Sequence, residues 1–271
     1  MEDYLITFGC SFTYGEALAH ELIKSKYPNK FNELISVPYS KISRKMFKIG
    51  EMFKEMDDYR KNNNYSFFLK KRLNVGLISN AENGGRNIQR LMDLDILINF
   101  LESGNVGRPK YLVFQFTHIG RDIEHMLIQW DPTKEFLYET YGNDFIKKVI
   151  NASNGKNDAW VLDNLFDEAT RIFLMQLEKR FKKLEKLFGT KCLFFFGLGS
   201  VKSISENYYY YKNNPFFMEI KKDDTVYYTW LDMVEKSNLL ISQTTGISDD
   251  HPSSAAHMGI SDLIYEKLIT I

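Results

Sequence analysis

A doubly wound α/β sandwich is the fold class this sequence predicts, on three observations. Five short apolar runs recur along the chain, helix-patterned segments separate them, and glycine or polar turn residues punctuate the joins. The first run, residues 3–8 (DYLITF), is β-branched and aromatic, too short for a helix, and stopped by Gly9. Residues 74–79 (NVGLIS), 110–117 (KYLVFQFT), 191–197 (KCLFFFG) and 238–242 (NLLIS) resemble it. All are apolar at consecutive positions, the pattern of parallel strands covered on both faces. Between them, residues 86–103 place Ile88, Leu91, Leu94, Ile98 and Leu101 on one helical stripe ended by Gly104. Residues 161–188 repeat that pattern and stop at Gly189, and residues 253–270 form a last amphipathic helix with Pro252 at its start.

Three stretches break the rhythm: 24–64, 129–160 and 200–230, the last two reading as aromatic loops. With no tandem repeat and no interdomain linker, they read as insertions in a single domain spanning residues 1–271. Such insertions either set specificity or serve as packing lids. The composition, 44% hydrophobic and 26% charged, suffices for a substantial core. Thirty-five basic residues balance 35 acidic ones, which removes the main electrostatic argument for binding nucleic acid or an anionic membrane. The two cysteines, Cys10 and Cys192, fall at or inside apolar runs, so neither a disulfide framework nor a zinc pattern is expected. The start, MEDYLITF, carries no secretory signature, and no apolar run reaches the length of a membrane span. Synthesis and folding in a cytoplasm are expected.

Four polar blocks follow the apolar runs. They are Gly9-Cys-Ser11-Phe-Thr-Tyr-Gly15, then Asn80-Ala-Glu-Asn-Gly84-Gly85-Arg86-Asn87, then Thr117-His-Ile-Gly-Arg121-Asp-Ile-Glu124, and Asp249-Asp250-His251-Pro252-Ser253. All lie at C-terminal ends of predicted strands, the edge where open α/β sheets build their sites. A serine hydroxyl becomes a nucleophile when an imidazole takes its proton, and a carboxylate fixes that imidazole's tautomer. Ser11 and His251 also have plain structural readings, as caps of the helices that follow them.

Taken together the blocks resemble the SGNH (GDSL-like) hydrolase superfamily, in a variant with a GCSFTxG first block found in bacteriophage genomes. The first and last blocks carry the resemblance, which runs from residue 4 to 268; the middle two are weaker. It implies a flavodoxin-like sheet of five parallel strands. It also implies Ser11 as nucleophile, His251 as general base and Asp249 as the acid that orients it, with Asp250 facing solvent. Oxyanion donors would be the backbone N–H groups of Ser11 and Gly84 plus a side chain. The chain departs from the family at three points. Arg86 precedes Asn87 where Gly-x-Ser-Asn is usual, Thr117 and Arg121 stand near the usual Gly-x-Asn-Asp asparagine, and Ser248 occupies the usual aspartate position. Asn87 and Thr117 are also ordinary as a helix-start and a strand-end residue. His118 is either pocket-lining or solvent-exposed, and His257 structural.

The implied function is a serine esterase releasing small acyl groups from a glycan or other small ester, without metal or organic cofactor. The phage variant implies a phage-encoded protein in a bacterial host. The alternative is an SGNH-fold binding or virion-associated structural protein whose catalytic geometry has decayed.

Overall fold

The first apolar run forms an inner strand of the sheet. The structure is a computed structural model describing residues 3–15, 17–35, 50–82, 84–104, 107–128, 132–154, 159–247 and 249–271. Parts of the first two expected insertions (36–49, 129–131 and 155–158), Asn83 of the second block and Ser248 lie outside the described residues. β1 (Tyr4–Gly9) pairs in parallel with β2 (Gly76–Ala81) on one side and with β3 (Tyr111–Phe116) on the other, and β3 pairs in parallel with β4 (Lys191–Phe196). The order is β2-β1-β3-β4, with β1 as the crossover point.

Alternation along the inner strands divides two cores. Ile6, Phe8, Leu112, Phe114, Phe116, Phe194 and Phe196 share one core with the helices Asn87–Glu102 and Ala159–Phe188. Leu5, Val113, Leu193 and Phe195 share the other with the helices Tyr65–Leu73, Trp230–Lys236 and Ser254–Thr270. Helix, sheet and helix therefore make three layers. β2 differs from the expectation of strands covered on both faces. No residue of it is fully buried, and Ile78 is 53% exposed, because β2 is an edge strand.

The expected fifth strand is absent among the described residues. Residues 238–242 instead turn at Asn238, whose φ is +57°, and lead into the short helix Ile241–Thr245. The Gln243 side chain closes that helix start by accepting the Leu240 N–H at 2.8 Å. The outer edge of β4 is occupied by other residues. Phe194 donates to Phe216 O and accepts from Met218 N, both at 2.8 Å, in a single parallel bridge centred on Phe217. An apolar run of this length fits a buried turn as well as a strand, and here the edge was already taken.

The insertions are also more ordered than aromatic loops. The second supplies the helices Lys134–Tyr141 and Asn143–Asn154. The third supplies short helices and an antiparallel hairpin, β5 (Ile220–Lys222) and β6 (Thr225–Tyr227). Asp223 and Asp224 turn that hairpin at φ of +49° and +60°, the paired positive values a two-residue type I′ turn requires. No helix among the described residues is long and apolar enough to cross a membrane.

The final helix starts at a Ser253 cap, whose hydroxyl accepts the Ala256 N–H at 3.4 Å. One turn in, fully buried His257 accepts the Tyr65 N–H on Nδ1 at 3.1 Å and meets Trp230 edge-on at 4.9 Å between ring centroids. Burial, with a smaller contribution from the charge of His251, pushes the His257 pKa down to about 3. The unfolded chain therefore binds a proton at this position below pH ~6.5 that the folded chain refuses. His257 thus lowers the stability of the fold as the pH falls below the ordinary histidine range. His257→Gln should flatten the acid limb of stability against pH, measured by urea unfolding between pH 4 and 7. An unchanged slope would contradict this account.

Candidate functional site

The chain leaves β1 through Gly9 and enters the short helix Ser11–Tyr14, ended by Gly15 in the left-handed region at φ +77°. Cys10, not Ser11, holds the cap position, and no side chain caps the turn. Ser11 is 4% exposed, at the first helical position, at the C-terminal edge of the sheet. Arg60, from the helix Gly50–Asn63, braces the turn from outside: Nη1 donates to Tyr14 O at 2.8 Å and the guanidinium lies 3.5 Å over the Tyr14 ring.

Beneath the turn lies a polar residue that sequence reasoning missed. Gln115, on β3 and 1% exposed, accepts from the Thr13 hydroxyl and donates from Nε2 to Cys10 Sγ at 3.4 Å. Tyr65 reaches Thr13 at 3.1 Å. A Cβ on Gly197, after β4, would overlap Gln115 Nε2, and one on Gly9 would overlap Thr13 and come within 2.9 Å of Gln115 Oε1. The two glycines make room for one amide. A glutamine alternating with phenylalanines was the available signal.

The second block approaches from β2. Gly84, expected to offer its N–H, is exposed with φ +74° and open space around it. Its neighbour makes the close approach. A Cβ on buried Gly85 would meet Gly9 O at 2.9 Å, Glu82 O at 3.2 Å and Cys10 Cα at 3.4 Å. Asn87 opens the helix Asn87–Glu102, and its buried side chain clamps the end of β3: Nδ2 donates to Thr117 O at 3.0 Å and Oδ1 accepts Thr117 N–H at 2.8 Å. The Thr117 hydroxyl is buried with no hydrogen-bond partner among the described residues. Arg121 donates to Gly85 O at 3.1 Å, tying the second and third blocks together.

The last block is held by the residues that did not become a strand. Ile241 N donates to His251 O at 2.8 Å, Ser242 N to Asp249 O at 3.0 Å and Ser253 N to Leu239 O at 2.9 Å. Glu21 Oε1 accepts the Ser254 N–H at 3.0 Å from the helix Ala19–Lys26. Within the loop, Asp249 Oδ1 accepts the His251 backbone N–H at 2.8 Å and lies 2.7 Å from His251 Nδ1. Asp249 is 5% exposed, whereas Asp250 is exposed. Because Oδ1 is an acceptor, Nδ1 carries the proton of this pair and Nε2 is left as the basic nitrogen. Buried His20, a residue without weight in the sequence, sits close enough to feel the charges of both Asp249 and His251, while burial holds its pKa down.

The two chain ends meet through an aromatic contact. Phe12, adjacent to Ser11, stands 5.3 Å from the His251 ring between centroids. The structure shows no hydrogen bond between Ser11 and His251. Beside the third block, Phe116, His118, Phe166, Phe196, Leu198 and Ile204 line a mostly apolar hollow at the ends of β3 and β4. His118 is half-buried there, with its ring edge-on to Phe166 and its pKa lowered by burial and then by Arg121. No group of three or more metal-ligating side chains occurs among the described residues.

No family model and no curated protein matches this sequence. Among solved structures the chain is similar to a protein from Desulfitobacterium hafniense DCB-2 described as lipolytic and of the G-D-S-L family. The two share 10% identity at a TM-score of 0.42, covering 97% of this chain and 98% of that one.

Gly85→Ala should force the second block away from the first, since its Cβ would meet backbone rather than a yielding side chain. The expected cost is about 1–3 kcal/mol, in the range of overpacked cores. Thermal or urea unfolding measures it, and a neutral substitution would show that the contact at Gly9 is not tight.

Proposed function

We propose that this chain is a serine ester hydrolase of the SGNH type acting on small acyl esters. The observation that carries the reading is the buried Asp249 carboxylate 2.7 Å from His251 Nδ1, with Phe12 seating the same imidazole beside the Ser11 turn. In this reading His251 Nε2 accepts the Ser11 proton as Oγ attacks the ester carbonyl. Asp249 steadies the imidazolium, which then returns the proton to the departing alcohol. Water enters by the same base and releases the acid from Ser11.

The oxyanion of each tetrahedral intermediate needs donors aimed at where its charge develops. The Ser11 and Gly84 N–H groups and the Thr117 hydroxyl are the candidates. Thr117 is favoured by its buried oxygen, which has no other partner among the described residues. Arg121 supports the second block through Gly85 rather than acting on substrate. The apolar hollow beside His118 suits a short acyl group, and a glycan ester is the alcohol class the family resemblance suggests.

The unmade Ser11–His251 hydrogen bond favours the alternative of a decayed SGNH-fold binding or virion-associated module. Hydrolysis of p-nitrophenyl acetate, with a fluorophosphonate labelling Ser11 and stopping turnover, distinguishes the two. Ser11→Ala and His251→Ala should each reduce kcat/KM by about a thousandfold or more. Full activity in either purified variant would overturn the hydrolase reading.

A further inference from the structure

Asp122 is fully buried on the helix Gly120–Met126, five residues past Thr117, and has no place in the proton relay just described. It does have a place in the architecture behind that relay. The helix Asn87–Glu102 begins after Arg86, which contributes no side-chain cap, so its first N–H groups need an acceptor from elsewhere. Asp122 provides it. Oδ1 accepts the Ile88 N–H at 3.3 Å, and the Asn87 N–H also favours its charged form. The other oxygen accepts the Tyr141 hydroxyl at 2.9 Å, from the helix Lys134–Tyr141 of the second insertion. Thr133, preceding that helix, meets Arg86 at 3.4 Å, so the insertion grips the same helix start twice. Asn87 is the first residue of the capped helix, and its side chain brackets the Thr117 backbone on both sides.

We infer that Asp122 and Tyr141 are positioning residues: together they fix the start of the Asn87 helix, and through the Asn87 clamp they aim the Thr117 hydroxyl at the oxyanion. The inference rests on the hydrolase reading for the catalytic role of Thr117, but the clamp itself does not. It gives the second insertion a task distinct from covering the pocket. It also explains why a buried carboxylate is kept beside the sheet edge. Burial raises the Asp122 pKa to about 7, against the lowering influence of Tyr141, the two backbone donors and the Arg86 charge. Tyr141, raised well above the usual phenol range by burial and then by Asp122, remains the donor of the pair.

Tyr141→Phe is the gentle test, since it removes one hydroxyl and keeps the ring; Asp122→Asn is the stronger one. Amide exchange at Thr117, followed by NMR in the full chain, should accelerate about tenfold or more in Tyr141→Phe, while amides of β4 keep their wild-type rates. In the same variant kcat on p-nitrophenyl acetate should fall about tenfold with KM changed less than about twofold, the signature of support lost in the transition state. Unchanged Thr117 exchange, or equal acceleration throughout the sheet, would overturn the positioning role. Accelerated Thr117 exchange in a protein whose wild type neither turns over ester nor takes the fluorophosphonate would leave the clamp standing. It would remove both the hydrolase reading and the aim at an oxyanion.

Discussion

One buried amide holds the sheet edge together. Gln115 projects from β3 beneath the turn that presents Ser11, bonded to Thr13 on one side and to Cys10 on the other. The glycines at 9 and 197 lack the Cβ atoms that would displace it. The ends of β1 and β3 are thereby joined by groups that would be costly to bury unpaired, so the turn cannot shift without breaking hydrogen bonds in the core. Gly85 then closes on the Gly9–Cys10 backbone from the β2 side. The Ser11 turn is fixed by what surrounds it, since its own short helix carries no side-chain cap.

The inserted helices act as braces on this edge. Arg60 holds the Tyr14 carbonyl from the first insertion, and Tyr141 holds Asp122 from the second. The histidine loop is secured differently, by a ladder of backbone bonds to residues 239–242 and by Glu21 at the start of the final helix. The Arg60 and Glu21 contacts reach 46 and 233 positions along the chain, whereas the bonds of the histidine loop are local. The β2 side of the sheet is more open, with Ile78, Ile96 and Phe100 about half exposed.

Burial also sets the electrostatic character of the region. His257 is kept neutral as a packing residue by burial among Tyr65 and Trp230, close to a histidine that is half-buried. Two imidazoles six positions apart therefore have different environments: one has a carboxylate on Nδ1, the other a backbone N–H. The carboxylate takes up Nδ1 of His251, and the backbone donor makes Nδ1 of His257 an acceptor.

Much of the layout was legible in the sequence, because apolar periodicity and glycine stops are local signals. The runs at residues 3–8, 110–117 and 191–197 are strands, and the stripes at 86–103, 161–188 and 253–270 are helices, within a residue or two. The choice of Asp249 over Asp250 came from the family resemblance, and the structure puts Asp249 Oδ1 2.7 Å from His251 Nδ1. What the sequence left open depended on neighbours it does not name. The run at 238–242 has strand character, yet Phe216–Met218 holds the β4 edge, and the run became a turn supporting the histidine loop. Gly85, Asp122 and Tyr141 carry no local pattern that marks them, and Gln115 only its place between two phenylalanines. Their importance comes from burial and from partners 34 to 105 positions away, or, for Tyr141, 19. Apolar spacing chooses the elements, while the close approach of distant backbones decides which glycine must be bare and which polar group must be paired.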